Sequence, residues 1–282
     1  MKGGRTSLLY VWILLGILML PVAAALIISA GAEGTTAQLA GGFWDRLLNR
    51  FSEAIQGGQT LEAVLTSLIL GILCGGAALV PAALLAACLK LGFKRKRRAM
   101  LFWIAIAPLF ASYHLKTYAM RMFFAQGGPL QMACQSIGFS VKPLVDTQFG
   151  VCLYLVLAAM PFATVIFFIL FEGIADQTVL AARNLGAGEL RLIKQLLMPV
   201  FRKALFTAFC FGFFFVFGDS LAAEVVGGGQ PYVIGMWTKK FYERANIETG
   251  AAAALLQMLF TAALLMLMGW LLTKTTRDKE QQ

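Results

Sequence analysis

Few side chains in this sequence are equipped for bond-making chemistry. The 282 residues include one histidine, His114, and five cysteines. Cys74, Cys88 and Cys210 lie within apolar runs, where a thiol serves as a small packing group. Cys134 and Cys152 fall in or beside one loop, where a disulfide is open to them without any spacing signature. No histidine, cysteine or carboxylate spacing matches a metal site, and no Ser–Lys pair or catalytic triad stands out. The glycine-rich places, Gly41-Gly42, Gly57-Gly58, Gly127-Gly128 and Gly227–Gly229, lack the Lys-Ser/Thr that completes a phosphate-cradling loop. The reading is therefore of a non-enzyme with no cofactor or metal held by this chain. Charges inside apolar segments stand out more. Lys116, Arg121, Asp219 and Glu224 do so, and an ionisable group there costs about 2.5–3.5 kcal/mol on insertion scales. With Tyr118 they are candidates for a solute path or gate. Asp219 latched to Lys116 or Arg121 is the favoured structural reading, and contact with a cationic or anionic solute is the other.

The elements that position these residues are membrane spans. Hydrophobic residues make up 59% of the chain and charged residues 13%, against roughly a half and a quarter in soluble domains. Apolar blocks run over about 8–29, 61–89, 99–124, 150–171, 204–226 and 250–272. Each is expected to be a helix, because a lone span in lipid must satisfy its own backbone hydrogen bonds. The first block ends at Ala30-Gly31-Ala32, which would suit a signal peptidase. It exceeds the roughly 7–15 residues of a signal core, which favours an uncleaved helix. Pro21, Pro81, Pro108 and Pro161 fall inside blocks and mark candidate kinks.

The net charge of +10 raises the question of nucleic acid, but no base-reading module accompanies it. The basic residues lie mainly between blocks. With both termini cytoplasmic, sixteen of the 24 face the cytoplasm, including Lys90, the run Lys94–Arg98, Arg183, Arg191, Lys194, Arg202 and Lys203, and six face outward. That asymmetry sets the orientation by the positive-inside rule. In the first outside loop Phe43, Trp44, Leu47, Leu48, Phe51 and Ile55 form a helical stripe, expected to lie at the outer interface.

One segment, Asp176–Lys203, is too polar to span and too patterned to be a loose loop. Asp176 suits a helix N-terminus and Gly186 a C-cap. A second helix then carries Leu190, Ile193, Leu196 and Leu197 on one side and Arg191, Lys194 and Gln195 on the other, ending at Pro199. Its apolar face must pack under the bundle or dock into a groove on a partner.

The run Ala181-Ala182-Arg183-Asn184-Leu185-Gly186, nine residues, then Leu196-Leu197-Met198-Pro199 resembles the Glu-Ala-Ala loop of type I ABC import permeases. Leu180 stands where that loop has its glutamate, and Met198 where it has leucine. Phe43–Leu48, Pro108–Gly128, Val225–Gly229 and Ile234-Gly235 are similar to segments of the spermidine/putrescine-type subfamily. The resemblance implies an all-α, six-span MetI-like fold of one permease domain over 1–282, with cytoplasmic coupling helices in 176–203. It implies that Ala181, Ala182, Gly186, Leu190, Ile193, Leu197 and Pro199 meet a cytoplasmic ATPase. The expected partners are two ATPase subunits that bind ATP and Mg, a related but non-identical second permease, an external solute-binding protein and the bilayer, with no nucleic acid. The implied site of action is the bacterial inner membrane and the implied cargo a polyamine, with phosphonate, sulfate, iron or thiamine as alternatives. A secondary transporter is the mechanistic rival, but the halves show no inverted repeat.

Overall fold

The computed structural model describes residues 36–56 and 59–280, with positions 22, 23, 25 and 27. Apart from those four positions, the first apolar block lies outside the described residues. Every regular element among the described residues is helical. The chain divides into two compact units, one of residues 1–61 and 235–282 and the other of residues 62–234.

In the first unit, helix α1 (Thr36–Gln56) packs against the long terminal helix Ile247–Glu280, named α13 below. Leu47 and Ala54 turn inward while Leu48 and Ile55 stay exposed, so the stripe expected from sequence divides between two faces. Arg50 bridges Glu53 and Glu248, and Glu53 also accepts from the Thr249 hydroxyl. Trp237 is buried. Tyr242 lies so close to Gly250 that an added Cβ would sit 3.2 Å from its ring.

The second unit carries the polar segment 176–203. Helices α2 (Thr60–Ala77) and α3 (Leu79–Gly92) run through as one 33-residue apolar rod. Pro81 lacks the N–H that would reach the Ala77 carbonyl, which is where the helix is interrupted. At about 1.5 Å per residue the rod exceeds the roughly 30 Å hydrocarbon layer, so its Lys90 end can project beyond it.

The third block is not one straight span. Helix α4 (Arg95–Ile106) passes into a 3₁₀ turn, Ala107–Phe110, and α5 (Tyr113–Phe124) leaves at a bend of 96°. Pro108 removes a backbone donor there, and the chain is extended at Ala111. Helix α6 (Pro129–Ser136) follows, then α7 (Gln148–Glu172), an unbroken span despite Pro161. The fifth block also departs from a full-length helix, because the chain breaks at residues 218–220 before a short turn of helix, Leu221–Val225.

Close approach of α2 to the fifth-block helix Met198–Phe217 depends on glycine. A Cβ on Gly75 would lie 2.8 Å from the Phe213 backbone nitrogen, and one on Gly212 would lie 3.1 Å from the Gly75 carbonyl oxygen. Small residues that let backbones meet are the usual device of helix pairing in lipid. Gly75→Val is therefore expected to cost about 1–3 kcal/mol through overpacking. Gly92→Ala, with open space around it, should be near neutral. Thermal unfolding in detergent checks both, and equal melting temperatures for Gly75→Val and the native chain would contradict the close packing.

Candidate functional site

The polar segment after α7 folds as a two-part elbow. Helix α8 (Asp176–Asn184) ends where Gly186 takes φ +80, the left-handed conformation open to glycine. The Leu185 N–H donates to the Ala181 carbonyl at 3.1 Å, Gly186 to Arg183 at 2.9 Å and Ala187 to Ala182 at 3.0 Å, closing the helix end. Helix α9 (Glu189–Leu192) opens a wide turn of π type over Ile193–Leu197 and runs into α10 (Met198–Phe217). Pro199 therefore does not end the second helix; it lies in the first turn of α10, where its missing N–H is least disruptive.

The elbow has two sides. Val179, Leu192 and Leu197 are buried with Phe167, Phe171 and Leu91, and Ala182, Ile193 and Leu196 pack against that cluster. The other side leaves Leu180 58%, Leu185 86% and Leu190 67% exposed, beside exposed Ala181 and Gly186. Of the residues expected to meet a partner, Ala181, Gly186 and Leu190 are thus accessible, while Ala182, Ile193 and Leu197 serve the protein's own core. Leu190 does not share a face with Ile193 and Leu197, which pack inward.

The root of the elbow is ionic. The Lys90 ammonium donates to the Ile174 carbonyl at 2.6 Å and to Asp176 Oδ1 at 2.8 Å, with Glu172 Oε1 at 3.8 Å. Arg98 places Nε 2.5 Å from Glu172 Oε1, and its Nη2 donates to Glu172 Oε2 at 3.1 Å and Asp176 Oδ2 at 3.1 Å. The Lys90 and Arg98 side chains are only 1% and 4% exposed. Both are expected from the charge asymmetry to face the cytoplasm; of the run Lys94–Arg98, only Arg98 is buried. The available signal was the carboxylate pair Glu172 and Asp176 flanking the end of the fourth block.

The candidate path residues are not gathered into one site. The Asp219 carboxylate accepts from the Ala222 N–H at 2.7 Å and caps the short helix after it, so it does not latch Lys116 or Arg121. Arg121 faces Asp146 at 3.4 Å and also donates to the Val225 carbonyl. Tyr118 and Glu224 are exposed. Lys116 lines a cavity of about 510 Å³ with Pro108, Met120, Phe123, Tyr154 and Pro161, its ammonium 5.6 Å from the Tyr113 ring centroid. Cys134 and Cys152 are free thiols. Among the described residues no cluster suits a metal ion.

Residues 34–277 match the family of binding-protein-dependent transport system inner membrane components. The chain belongs to that family. It is thus a membrane component of a bacterial transport system and not an enzyme. Curated relatives include the spermidine/putrescine transport system permease protein PotB of Haemophilus influenzae, 22% identical over 57% of each chain. The protein of the same name from Escherichia coli is 22% identical over 68% of this chain and 74% of that one. The match thus spans little more than half the length of the Haemophilus protein. Among solved structures, a bacterial ABC transporter for import of the acidic polysaccharide alginate superposes with TM-score 0.68 at 14% identity, covering 96% of both chains. The alginate transporter in complex with its pentasaccharide-bound periplasmic protein gives 0.64 at 16% identity, over 97% of this chain and 95% of that one. The fold is that of an ABC importer permease.

Hydrogen bonds first from Lys90 and then from Arg98 hold the Asp176 carboxyl down at about 2, from an ordinary 3.8. A pKa lowered on folding adds stability that is fully present above about pH 4 and is lost as pH falls through about 2. Solvent screens part of it, since the Asp176 side chain is 47% exposed. Asp176→Asn should therefore melt lower than the native chain near neutral pH, with the gap closing from about pH 4 downward. Melting temperatures across that range check the sign, and a gap independent of pH would contradict it.

Proposed function

We propose that this chain forms one half of the solute pathway of an ATP-driven importer and that its elbow is the part a cytoplasmic ATPase grips. The observation that carries the reading is the elbow's outer side. Leu180, Leu185 and Leu190 stand exposed on a polar segment fixed to the spans, Leu180 at the glutamate position of the Glu-Ala-Ala loop. Exposed apolar side chains on a well-anchored surface favour a protein partner. Leu180 in place of the loop's glutamate gives that contact an apolar character. The working assembly is two permease chains, two ATPase subunits that hold ATP and Mg, and an external solute-binding protein. Both termini of this chain are cytoplasmic, which keeps the elbow and the basic run Lys94–Arg98 on the ATPase side.

Likeness to the PotB permeases favours a polyamine as cargo. One observation favours a second reading. The cavity beside α5 and α7 is lined by Lys116 and by no carboxylate, which suits an anion better than a polycation. Binding of spermidine to the system's solute-binding protein supports the first, and binding of an anion in its place supports the second.

Gly186 gives the direct test of docking. Nothing lies within 4 Å of the position an added Cβ would take, so a new side chain there meets a partner and not this protein. Asparagine tolerates positive φ and valine does not. Gly186→Asn is expected to keep the fold and cut permease-dependent ATP hydrolysis roughly tenfold through contact with the partner. Gly186→Val adds backbone strain to the same loss. Normal hydrolysis by a well-folded Gly186→Asn complex would contradict the docking role.

A further inference from the structure

Helix α8 is held at both ends by the same corner of the molecule. At its start, Asp176 is gripped by Lys90, from the end of α3, and by Arg98, from the first turn of α4. Arg98 Nη1 also reaches the Lys90 carbonyl at 3.4 Å, so the two cations are joined through the backbone that carries one of them. At the other end, Arg183 Nη2 donates to the Leu91 carbonyl at 2.8 Å and to Glu189 Oε1 at 2.6 Å. Leu91 is the residue after Lys90 and is itself buried under the elbow. Glu172 ties the end of α7 into the same cluster through Arg98.

A helix fixed at one point can swivel. A helix of nine residues fixed at both ends to one corner cannot turn without breaking charge-assisted bonds, and at its start the donors, Lys90 and Arg98, are almost wholly out of water. Breaking one partner out of such a cluster leaves the other charge buried and unpaired, so the arrangement yields as a unit or not at all. From this geometry we infer that Lys90, Arg98 and Arg183 are positioning residues that clamp α8 to α3, α4 and α7. A displacement applied to the elbow is carried into the spans and not absorbed at its root. The inference rests on the docking reading above, in which the displacement comes from the ATPase. It adds the means by which this chain transmits it, and it assigns a role to three cations that the charge asymmetry alone would treat as topology signals.

The test is a distance measurement on the complete complex with its ATPase subunits. Spin labels are attached to cysteines placed at Asn184, at the end of α8, and Met100, on α4, in a variant without native cysteines. Pulsed electron paramagnetic resonance then reads their separation without nucleotide and with ATP under vanadate. With the clamp intact, the separation should be narrow and the same in both states. Arg98→Met should broaden it or make it depend on nucleotide, and should cut vanadate-sensitive solute-stimulated hydrolysis roughly tenfold while the ATPase remains bound. Arg183→Gln should have the same direction of effect. It leaves behind the exposed Glu189 carboxylate and the Leu91 carbonyl but no buried charge, and so keeps the test open should Arg98→Met fail to fold. Lys96→Met, at an exposed neighbour, should change nothing.

A merely structural role predicts a lower melting temperature with the label separation unchanged. Unchanged separations in both Arg98→Met and Arg183→Gln would overturn the clamp. Failure of the native chain to hold the ATPase at all would overturn the docking reading and the clamp with it, and purification of the native complex distinguishes that case first.

Discussion

Two cations sealed beneath a pair of carboxylates are the constraint on which the polar elbow of this protein depends. Lys90 and Arg98 have almost no contact with solvent, and their charges are met by Glu172, Asp176 and main-chain carbonyls. Buried charges at that depth are tolerated only when the partners are in place. The ends of α3, α4, α7 and α8 are therefore fixed relative to one another. The apolar cluster of Leu91, Phe167, Phe171, Val179, Leu192 and Leu197 fills the space beneath. Hydrophobic packing gives this region its area and the ions give it a direction, because only charge-assisted bonds specify which residue of α8 meets which residue of α3.

The elbow's surface follows from the same division of labour. Its inner residues satisfy the bundle, so its outer leucines have nothing within this unit to cover them. The open turn at Gly186 narrows the elbow at its tip and leaves the backbone accessible. A segment so arranged is rigid where it joins the spans and bare where a partner would meet it. That combination suits a part that is pushed from outside. The third block is broken in the same unit, its two helical stretches meeting at 96° just after Pro108. Lys116 is the charged residue that lines the cavity beside that bend.

Much of this was legible in the sequence, and the reasons for the rest are physical. Apolar block length revealed the spans of α2–α3, α7 and α13, because the requirement for internal backbone bonding leaves a run of that kind one outcome in lipid. The elbow's boundaries and the turn at Gly186 followed from residue types with narrow conformational preferences. Pro199 misled, since proline stops a helix in its interior but is welcome in a first turn, and a wide turn before it kept the chain helical. Asp219 misled for a related reason: a buried carboxylate next to distant cations suggests a pair, whereas the nearby Ala222 N–H satisfied it locally. The clamp was invisible because Lys90, Arg98 and Asp176 meet only through tertiary packing, and Arg98 looked like any other member of a basic run.

The account stands or falls on whether an external motor drives this chain. Its most direct test is uptake of radiolabelled spermidine, and of a panel of small anions in parallel, by proteoliposomes holding the two permease chains and the solute-binding protein, with and without the ATPase subunits and ATP. Accumulation of one of these solutes is expected only when ATPase and ATP are both present. Accumulation driven by an ion gradient with no ATPase in the vesicles would contradict it.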